Sequence, residues 1–138
     1  MYLYNLEIVS FKMSKQPNGE SMMEALVEAI EKTKACPFRR TFHSDRGWAY
    51  QMPSYQQLLK ENKIFQSMSR KGNCYDNSPM ENFFGIIKQE MYYGYVYKSF
   101  KELEDAVTKY IRYYNEERIK ENLAWLSPIQ YRLANSVT

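Results

Sequence analysis

Three observations in the sequence predict an α/β fold. Short runs that are apolar or alternate in polarity, typical of strands, are separated by longer segments whose apolar residues recur every three or four positions, as on one helix face. Their order is strand, helix, strand, helix, strand, helix, helix, and this alternation is typical of α/β proteins. The chain has 138 residues, of which 44% are apolar, so one domain with a buried core is expected.

A strand and a helix are the first predicted elements. Residues 1–13 alternate between apolar and polar side chains, which indicates a strand with one buried face. After a turn at residues 16–19, Ser21 and Glu24 have the spacing of a capping box and predict a helix to about Thr33. The apolar face of that helix is expected to comprise Met23, Leu26, Val27 and Ile30.

Two further strands are expected to flank a second helix. Residues 41–44 are too few for a helix and are predicted to form a buried strand that ends at Asp45. A helix over 54–62 and a strand over 63–68 follow. The segment 69–73 is polar, basic and contains a glycine, which indicates a mobile loop.

The remainder of the chain is expected to be helical. Ser78 as cap and Pro79 in the first turn predict one helix, Ser99 caps a longer one, and Ser127 before Pro128 begins a short last helix. The apolar faces are expected to comprise Met80, Phe83, Phe84, Ile87 and Met91 in the first, Leu103, Ala106, Val107, Tyr110, Ile111 and Tyr114 in the second, and Ile129, Tyr131 and Leu133 in the third.

Composition and cysteine usage restrict the function classes. No apolar run approaches the roughly 20 residues of a membrane span and no basic-then-apolar leader precedes the fold, so a cytoplasmic protein without a membrane partner is expected. Cys36 and Cys74 lack CxxC spacing, which argues against structural zinc and for free thiols in a reducing cytosol. The net charge of +3 mildly favours an anionic partner.

Asp45, Glu81 and Lys88 form the candidate site. Asp45 ends a strand, Glu81 lies in the first turn of a helix, and Lys88 follows two helical turns later on the same side. Carboxylates are the ligands that Mg²⁺ prefers, and a lysine can hold a phosphate beside the metal. Gly85 lies between Glu81 and Lys88 and would let a DNA backbone approach. Together these residues suggest metal-dependent phosphodiester chemistry.

Each of these residues, taken alone, also has a structural explanation. An aspartate before Arg-Gly is common in turns, and the helix dipole favours a glutamate near a helix N-terminus. His43 is able to pack beside a strand without touching a ligand. Arg70 and Lys71 are able to serve only the solubility of a loop. The order and spacing of the motifs therefore carry the functional argument.

Five motifs follow one another in an order that matches a known family. They are His43-Ser44-Asp45-Arg46-Gly47-Trp48-Ala49-Tyr50, then residues 67–77 (SMSRKGNCYDN), Glu81-Asn82-Phe83-Phe84 with Lys88, Tyr113-Tyr114-Asn115 with Arg118, and Leu126-Ser127-Pro128. In these motifs the chain resembles bacterial insertion-sequence transposases of the DDE type, relatives of retroviral integrases. The resemblance implies an RNase H-like fold (integrase catalytic core) in which three acids, spaced D…D-35-E, bind two Mg²⁺ (or Mn²⁺) ions.

The resemblance also implies roles for individual residues. Thirty-five residues separate Asp45, which corresponds to the second acid, from Glu81, which corresponds to the third. Both are expected to be catalytic and to bind the same metal ion in the folded chain. Residues 70–77 correspond to the family's flexible active-site loop. The residues expected to contact DNA are Lys88, which corresponds to a lysine that binds the end of the element, and Arg70, Lys71, Asn73, His43 and Arg46.

The family's first acid has no counterpart in this sequence. It lies in a Thr-Asp-Ile-Thr-like segment on the first strand, whereas Glu7 falls where the third strand begins. In the family's sheet order, 3-2-1-4-5, strands 1 and 2 lie between the strand near Ile8 and the strand before Asp45. The chain is therefore expected to be an N-terminally truncated transposase with an incomplete mixed sheet that lacks the first strands.

The expected organisation and function follow from this resemblance. Residues 1–138 would form a partial catalytic core, with strands and the active-site helix in 1–95 and C-terminal helices in 96–138. The expected function is metal-dependent DNA cleavage and strand transfer in transposition, with negligible activity of this chain alone because one acid is absent. Expected partners are insertion-element ends, target DNA, and a second copy or a full-length transposase in the bacterial cytoplasm. The alternatives are a non-catalytic DNA-binding or inhibitory remnant and an unselected fragment that does not fold stably.

Overall fold

The computed structural model describes residues 1–136, which form two compact units. One unit consists of Ser10–Ser78, and the other combines Met1–Val9 with Pro79–Thr138. Each is described separately below. Across the described part of the chain, no helix has both the length and the apolar character that crossing a bilayer requires.

The unit Ser10–Ser78 is built around a parallel β–α–β arrangement. Its elements are helix α1 (Gly19–Lys32), strand β1 (Thr41–Ser44), a 3₁₀ turn (Trp48–Gln51), helix α2 (Pro53–Glu61), strand β2 (Phe65–Met68) and a second 3₁₀ turn (Cys74–Asn77). Strands β1 and β2 pair in parallel, with Thr41 opposite Phe65 and Ser44 opposite Met68. Parallel neighbours need a crossover connection, and α2 provides it.

Apolar residues of α1 and α2 form the core of this unit. The buried cluster comprises Leu26, Ile30, Tyr55, Leu59 and Ile64. Leu26 and Ile30 are four residues apart on α1, and Tyr55 and Leu59 are four apart on α2, so each helix presents one apolar stripe. The predicted helices and the two predicted strands of this unit are therefore present.

The second unit is helical. Its elements are α3 (Ser78–Ile87), which begins at the junction of the units, a π turn (Lys88–Tyr92), α4 (Phe100–Glu116), a 3₁₀ turn (Glu121–Leu123) and α5 (Pro128–Ala134). Its buried apolar residues are Ile8, Phe83, Met91, Tyr110, Ile111, Tyr114 and Leu123. The rings of Phe83 and Tyr114 meet edge to face with centroids 5.0 Å apart, which joins α3 to α4. As expected, Ser99 and Ser127 cap α4 and α5.

The predicted strand over residues 1–13 is wrong. This segment has no strand partner, and its backbone bonds to helix side chains instead. Ile8 donates its N–H to Asn115 Oδ1 at 2.9 Å, and its carbonyl accepts Asn115 Nδ2 at 2.9 Å. Tyr114 donates its hydroxyl to the carbonyl of Leu6 at 3.1 Å. A segment of alternating polarity forms a strand only where a second strand supplies hydrogen bonds to its backbone. Here the side-chain amide of one asparagine supplies hydrogen bonds instead.

The sheet is smaller than expected and parallel rather than mixed. Within residues 1–136 it contains only β1 and β2. The prediction that residues 41–44 form a buried strand is also wrong in its burial, because Thr41 and His43 are exposed and only Ser44 is buried. Side chains alternate between the two faces of a strand, and here Phe42 packs against the core cluster while Thr41 and His43 lie on the opposite, exposed face.

Two predicted helix starts are corrected by the observed hydrogen bonds. The cap of α1 is Asn18, whose Oδ1 accepts the Ser21 N–H at 2.7 Å, so Ser21 is already helical. Ser78 has helical dihedral angles (φ −58°, ψ −34°) because the preceding 3₁₀ turn leads directly into α3, and it is therefore not a cap. Three residues predicted to face the core are largely exposed instead, namely Val27, Phe84 and Leu133.

Candidate functional site

Asp45 follows the last residue of β1 and is held by a tight turn. Its Oδ1 accepts the Gly47 N–H at 2.7 Å, and its backbone carbonyl accepts the Ser44 hydroxyl at 2.9 Å. A Cβ at Gly47 would lie 3.0 Å from Asp45 Oδ1 and 3.3 Å from the Tyr50 ring, so glycine allows the turn to close. The carboxylate is exposed, and its second oxygen has no hydrogen bond to the described residues.

His43 and Arg46 join the end of β1 to the residues at the end of β2. Nδ1 of His43 lies 2.9 Å from Ser67 Oγ, and its Nε2 lies 3.2 Å from Ser69 Oγ. Arg46 donates its Nε–H to the Ser69 carbonyl at 2.9 Å. Both predicted DNA-contacting residues therefore also hold the strand ends beside Asp45 in place.

The predicted active-site loop is closed by an ion pair between Arg70 and Asp76. Arg70 donates its backbone N–H (2.8 Å) and Nε–H (3.1 Å) to Asp76 Oδ2, and Nη2 to Oδ1 at 3.1 Å. These bonds from the Arg70 side chain and backbone lower the pKa of Asp76 to about 2 and raise the pKa of Arg70. Asn73 accepts the Tyr75 N–H at 3.1 Å, and Lys71 is exposed.

Glu81 and Lys88 line one open groove along α3, as their seven-residue spacing predicts. The groove has a volume of about 470 Å³ and is lined by Glu81, Phe84, Gly85, Lys88, Gln89 and Tyr93. A Cβ at Gly85 would have no atom within 4 Å, so the groove is open where the glycine lies. Neither Glu81 nor Lys88 forms an ion pair or hydrogen bond through its side chain to any residue that the structure describes.

Sequence reasoning missed three of the residues that line this groove. Phe84 was expected in the core, and Gln89 and Tyr93 were not assigned to the site. For Gln89 and Tyr93 the cause is the π turn over Lys88–Tyr92, which ends the α-helix at Ile87 and changes the faces of later side chains. Phe84 lies on α3 before that turn, and there Phe83 is buried while Phe84 is half exposed. The tyrosine-rich composition after Lys88 is the one signal in the sequence that points to this region.

A partly buried charge cluster fixes the π turn to α4. Glu90 accepts the Arg118 Nε–H at 2.7 and 2.6 Å on its two oxygens and the Tyr110 hydroxyl at 2.7 Å. Burial alone would raise the pKa of Glu90, but the bonds from Arg118 and Tyr110 outweigh it and lower that pKa. Lys120 lies over the Tyr114 ring, 5.2 Å from its centroid, and burial lowers its pKa.

The donor chemistry of Asp45 and Glu81 suits a divalent metal. Mg²⁺ is commonly held by one or two carboxylates together with waters, and both of these carboxylates are exposed. Among residues 1–136, however, no group of three or more His, Cys, Asp and Glu side chains is arranged to hold a metal ion. Asp45 belongs to the unit Ser10–Ser78, and Glu81 belongs to the helical unit.

Two models of protein families match the chain, and both describe an integrase core domain. One matches residues 2–74, which is more than half of the chain, and the other matches residues 81–135. The chain therefore belongs to the integrase core domain family. Within that family it is similar to insertion-sequence transposases, which confirms the resemblance inferred from the five motifs.

The relatives show how much of a transposase this chain spans. An uncharacterized transposase-like protein of Haemophilus influenzae is 46% identical over 130 residues, which are 94% of this chain and 59% of that protein. The putative transposase InsK for insertion sequence element IS150 of Escherichia coli is 46% identical over 131 residues, 94% of this chain and 46% of that protein. The transposase for insertion sequence element IS904 of Lactococcus lactis is 31% identical over 135 residues, 97% of this chain and 53% of that protein. The chain spans about half the length of these relatives.

Proposed function

We propose that this chain acts on DNA in insertion-sequence transposition, as part of an integrase core that cleaves and joins phosphodiester bonds. The observation that carries the proposal is the groove on α3, where Glu81 and Lys88 lie on either side of the open position at Gly85. A carboxylate for a metal ion and a cation for a phosphate thus share one surface that DNA is able to approach.

In this proposal Asp45 and Glu81 hold the metal. Mg²⁺ or Mn²⁺, when bound, supplies Lewis-acid stabilisation of the charge on the phosphodiester oxygens. The turn at Gly47 holds Asp45 in one orientation, and Glu81 is held by the first part of α3. Rigid placement matters because catalytic groups contribute most when the folded chain fixes them before the substrate binds.

The basic and polar residues around these acids bind the DNA backbone. Lys88 contacts a phosphate of the element end, and Arg46, Arg70 and Lys71 add positive charge on the other unit. His43 and Asn73 contribute hydrogen bonds. Such phosphate contacts are independent of sequence and weaken as the salt concentration rises, so they fix the position of DNA without selecting its sequence. Insertion-element ends and target DNA are the proposed partners, together with a second copy or a longer transposase.

We expect the 138-residue chain alone to give no measurable strand transfer. Two carboxylates leave a two-metal site short of the third acid that the family pattern contains, and without it the metal ions have too few ligands. The test is a joining assay with element-end DNA, target DNA and Mg²⁺. It is run with the chain alone and with the chain mixed with the part of a longer relative that this chain does not span.

The proposal predicts joining only in the mixture, and it predicts that Glu81→Gln abolishes that joining. Glu24→Gln, an exposed glutamate on α1, serves as the matched control and is expected to leave it unchanged. Robust joining by the isolated chain would contradict the expected inactivity. DNA binding without joining in either case would favour the alternative of a non-catalytic, DNA-binding or inhibitory protein.

A further inference from the structure

The π turn determines which tyrosine faces the groove on α3. In an unbroken α-helix, side chains eleven residues apart lie on nearly the same face, so the face of Glu81 and Lys88 would continue at Tyr92. A π turn contains about one residue more than an α-helical turn, and here Tyr93, rather than Tyr92, lines the groove. Tyr93 donates its N–H to the Lys88 carbonyl at 2.8 Å, which fixes the two residues relative to each other.

The segment after Tyr93 is anchored to the same unit. Tyr97 donates its hydroxyl to the carbonyl of Met91, and the Met91 side chain is buried. Glu90, inside the turn, is bonded to Arg118 and Tyr110. The π turn that precedes Tyr93 is therefore held by hydrogen bonds of both its main chain and its side chains, so the backbone at Tyr93 has a fixed position.

The groove combines the chemical groups that bind a nucleotide with an unpaired base. Phe84 and Tyr93 are 50% and 56% exposed although both are large aromatic residues. Exposed aromatic rings beside a cation offer stacking faces for bases while the cation binds the backbone. Lys88 supplies the cation, and the amide of Gln89 both donates and accepts hydrogen bonds, as a base edge requires. The volume of about 470 Å³ lies within the range of small-ligand sites.

The polar groups of the groove are not used elsewhere in the described part of the chain. Glu81, Lys88, Gln89 and Tyr93 make no hydrogen bond or ion pair through their side chains to residues 1–136. The Tyr93 ring meets the ring of its neighbour Tyr92, with centroids 5.9 Å apart. A ligand in the groove would therefore not have to displace an internal hydrogen bond or ion pair of these side chains.

We propose that Tyr93 and Phe84 form a stacking platform for an unpaired base of single-stranded DNA, next to the phosphate-binding Lys88. A continuous duplex hides its base faces by stacking, so the platform engages only a frayed, flipped or single-stranded nucleotide. The inference rests on the proposed function, because it names the form of DNA that the groove on α3 accepts. It makes Tyr93 and Phe84 positioning residues for that strand.

The test compares binding of a short labelled single strand with binding of the same sequence as a duplex, by fluorescence anisotropy at low salt. Tyr93→Ala is expected to weaken single-strand binding about tenfold, the typical effect of removing one stacking ring, and to leave duplex binding nearly unchanged. Tyr93→Phe keeps the ring and is expected to bind like the unmodified chain. Tyr95→Ala is the matched control, because Tyr95 is close in the chain and 62% exposed but does not line the groove.

Equal losses in Tyr95→Ala and Tyr93→Ala, or no loss in Tyr93→Ala, would overturn the platform. Circular dichroism melting checks the fold of each variant, and Phe84→Ala, on α3 itself, is the second variant expected to show the selective loss.

Lys88→Ala separates the two proposals. Suppose that Lys88→Ala weakens binding of both the single strand and the duplex, while Tyr93→Ala and Phe84→Ala weaken binding of neither form. The proposed function on DNA is then supported, and the stacking platform is contradicted. If the unmodified chain binds neither form, both fail.

Discussion

The guanidinium of Arg70, which the sequence assigns to DNA, is bound to an aspartate of its own loop. Three hydrogen bonds from Arg70 keep the pKa of Asp76 at about 2, below its ordinary value of 3.8. Because folding lowers this pKa, the contact stabilises the folded chain fully at pH values above the ordinary pKa of the carboxyl. The stabilisation is lost as the pH falls through the lowered pKa, where the carboxyl becomes protonated. The pair therefore persists at neutral pH, where a DNA phosphate must compete with Asp76 for Arg70.

Removing the competing carboxylate is expected to strengthen DNA binding. Asp76→Asn leaves Arg70 free to pair with a phosphate of the DNA. The logarithm of the DNA-binding constant, plotted against the logarithm of the salt concentration, should then have a slope that is steeper by about one, as for one added phosphate contact. The measurement is a salt titration of duplex binding at neutral pH. Asp105→Asn is the control, since it makes the same charge change and removes one of the two carboxylates that pair with Lys101 on α4. If both variants have the same slope, Arg70 does not contact DNA.

At the scale of elements, the π turn and its attachment to α4 shape the site. The turn follows α3 directly and contains Glu90, whose carboxylate accepts hydrogen bonds from Arg118 and Tyr110. Because π turns are rare and occur mostly as single turns, we expect this one to depend on tertiary contacts that hold it. The Glu90 cluster supplies such contacts, so it controls the position of Tyr93 on the groove.

The contribution of this cluster to stability is expected to depend on pH. The pKa of Glu90 is lowered in the folded chain, so its stabilisation is complete above the ordinary value of 4.5 and is lost as the pH falls below it. Glu90→Gln should therefore reduce the free energy of unfolding by about 1 kcal/mol at neutral pH, a value kept small because the pair is partly exposed. The difference from the unmodified chain should shrink when urea unfolding is repeated at pH values below 4.5.

A glutamate without such contacts provides the comparison for Glu90→Gln. Glu117 is exposed at the end of α4, and its side chain makes no hydrogen bond or ion pair within the described residues. Glu117→Gln is expected to leave the free energy of unfolding nearly unchanged at every pH. A pH-independent loss in Glu90→Gln would show that the cluster acts through shape rather than charge.

At the scale of the whole molecule, the two candidate acids belong to different compact units. Asp45 directly follows a strand of Ser10–Ser78, and Glu81 lies in the first turn of α3, in the other unit. The proposed chemistry therefore requires the units to act together on one metal ion. Free energies of substitution at independent sites add, whereas those of residues that share a ligand do not. This difference makes the requirement measurable.

A double-mutant cycle on Mn²⁺ binding tests whether the two acids share an ion. Asp45→Asn and Glu81→Gln are each expected to weaken Mn²⁺ binding, measured by electron paramagnetic resonance, and the double variant should bind little more weakly than either single one. Glu24→Gln is the control and should bind like the unmodified chain. Strictly additive losses would contradict a shared ion and place the two carboxylates at independent sites.

The sequence alone identified much of this molecule because the decisive signals are local. Capping by Ser99 and Ser127 depends on residues within one turn, and the strands at Thr41–Ser44 and Phe65–Met68 lie in segments with too few residues for a helix. The spacing of Glu81 and Lys88 placed both on one face for the same reason. The ordered motifs identified the family, because they depend only on the order of residues along the chain.

Tertiary structure decided the features whose partners are distant in sequence. Whether residues 1–13 form a strand depended on Asn115, which is 107 positions from Ile8 and takes both of the backbone hydrogen bonds of Ile8. The π turn that brings Tyr93 to the groove is held in part through Arg118, which is 28 positions from Glu90. Periodicity records which side chains share a face, but it contains no information about which distant group completes a hydrogen bond.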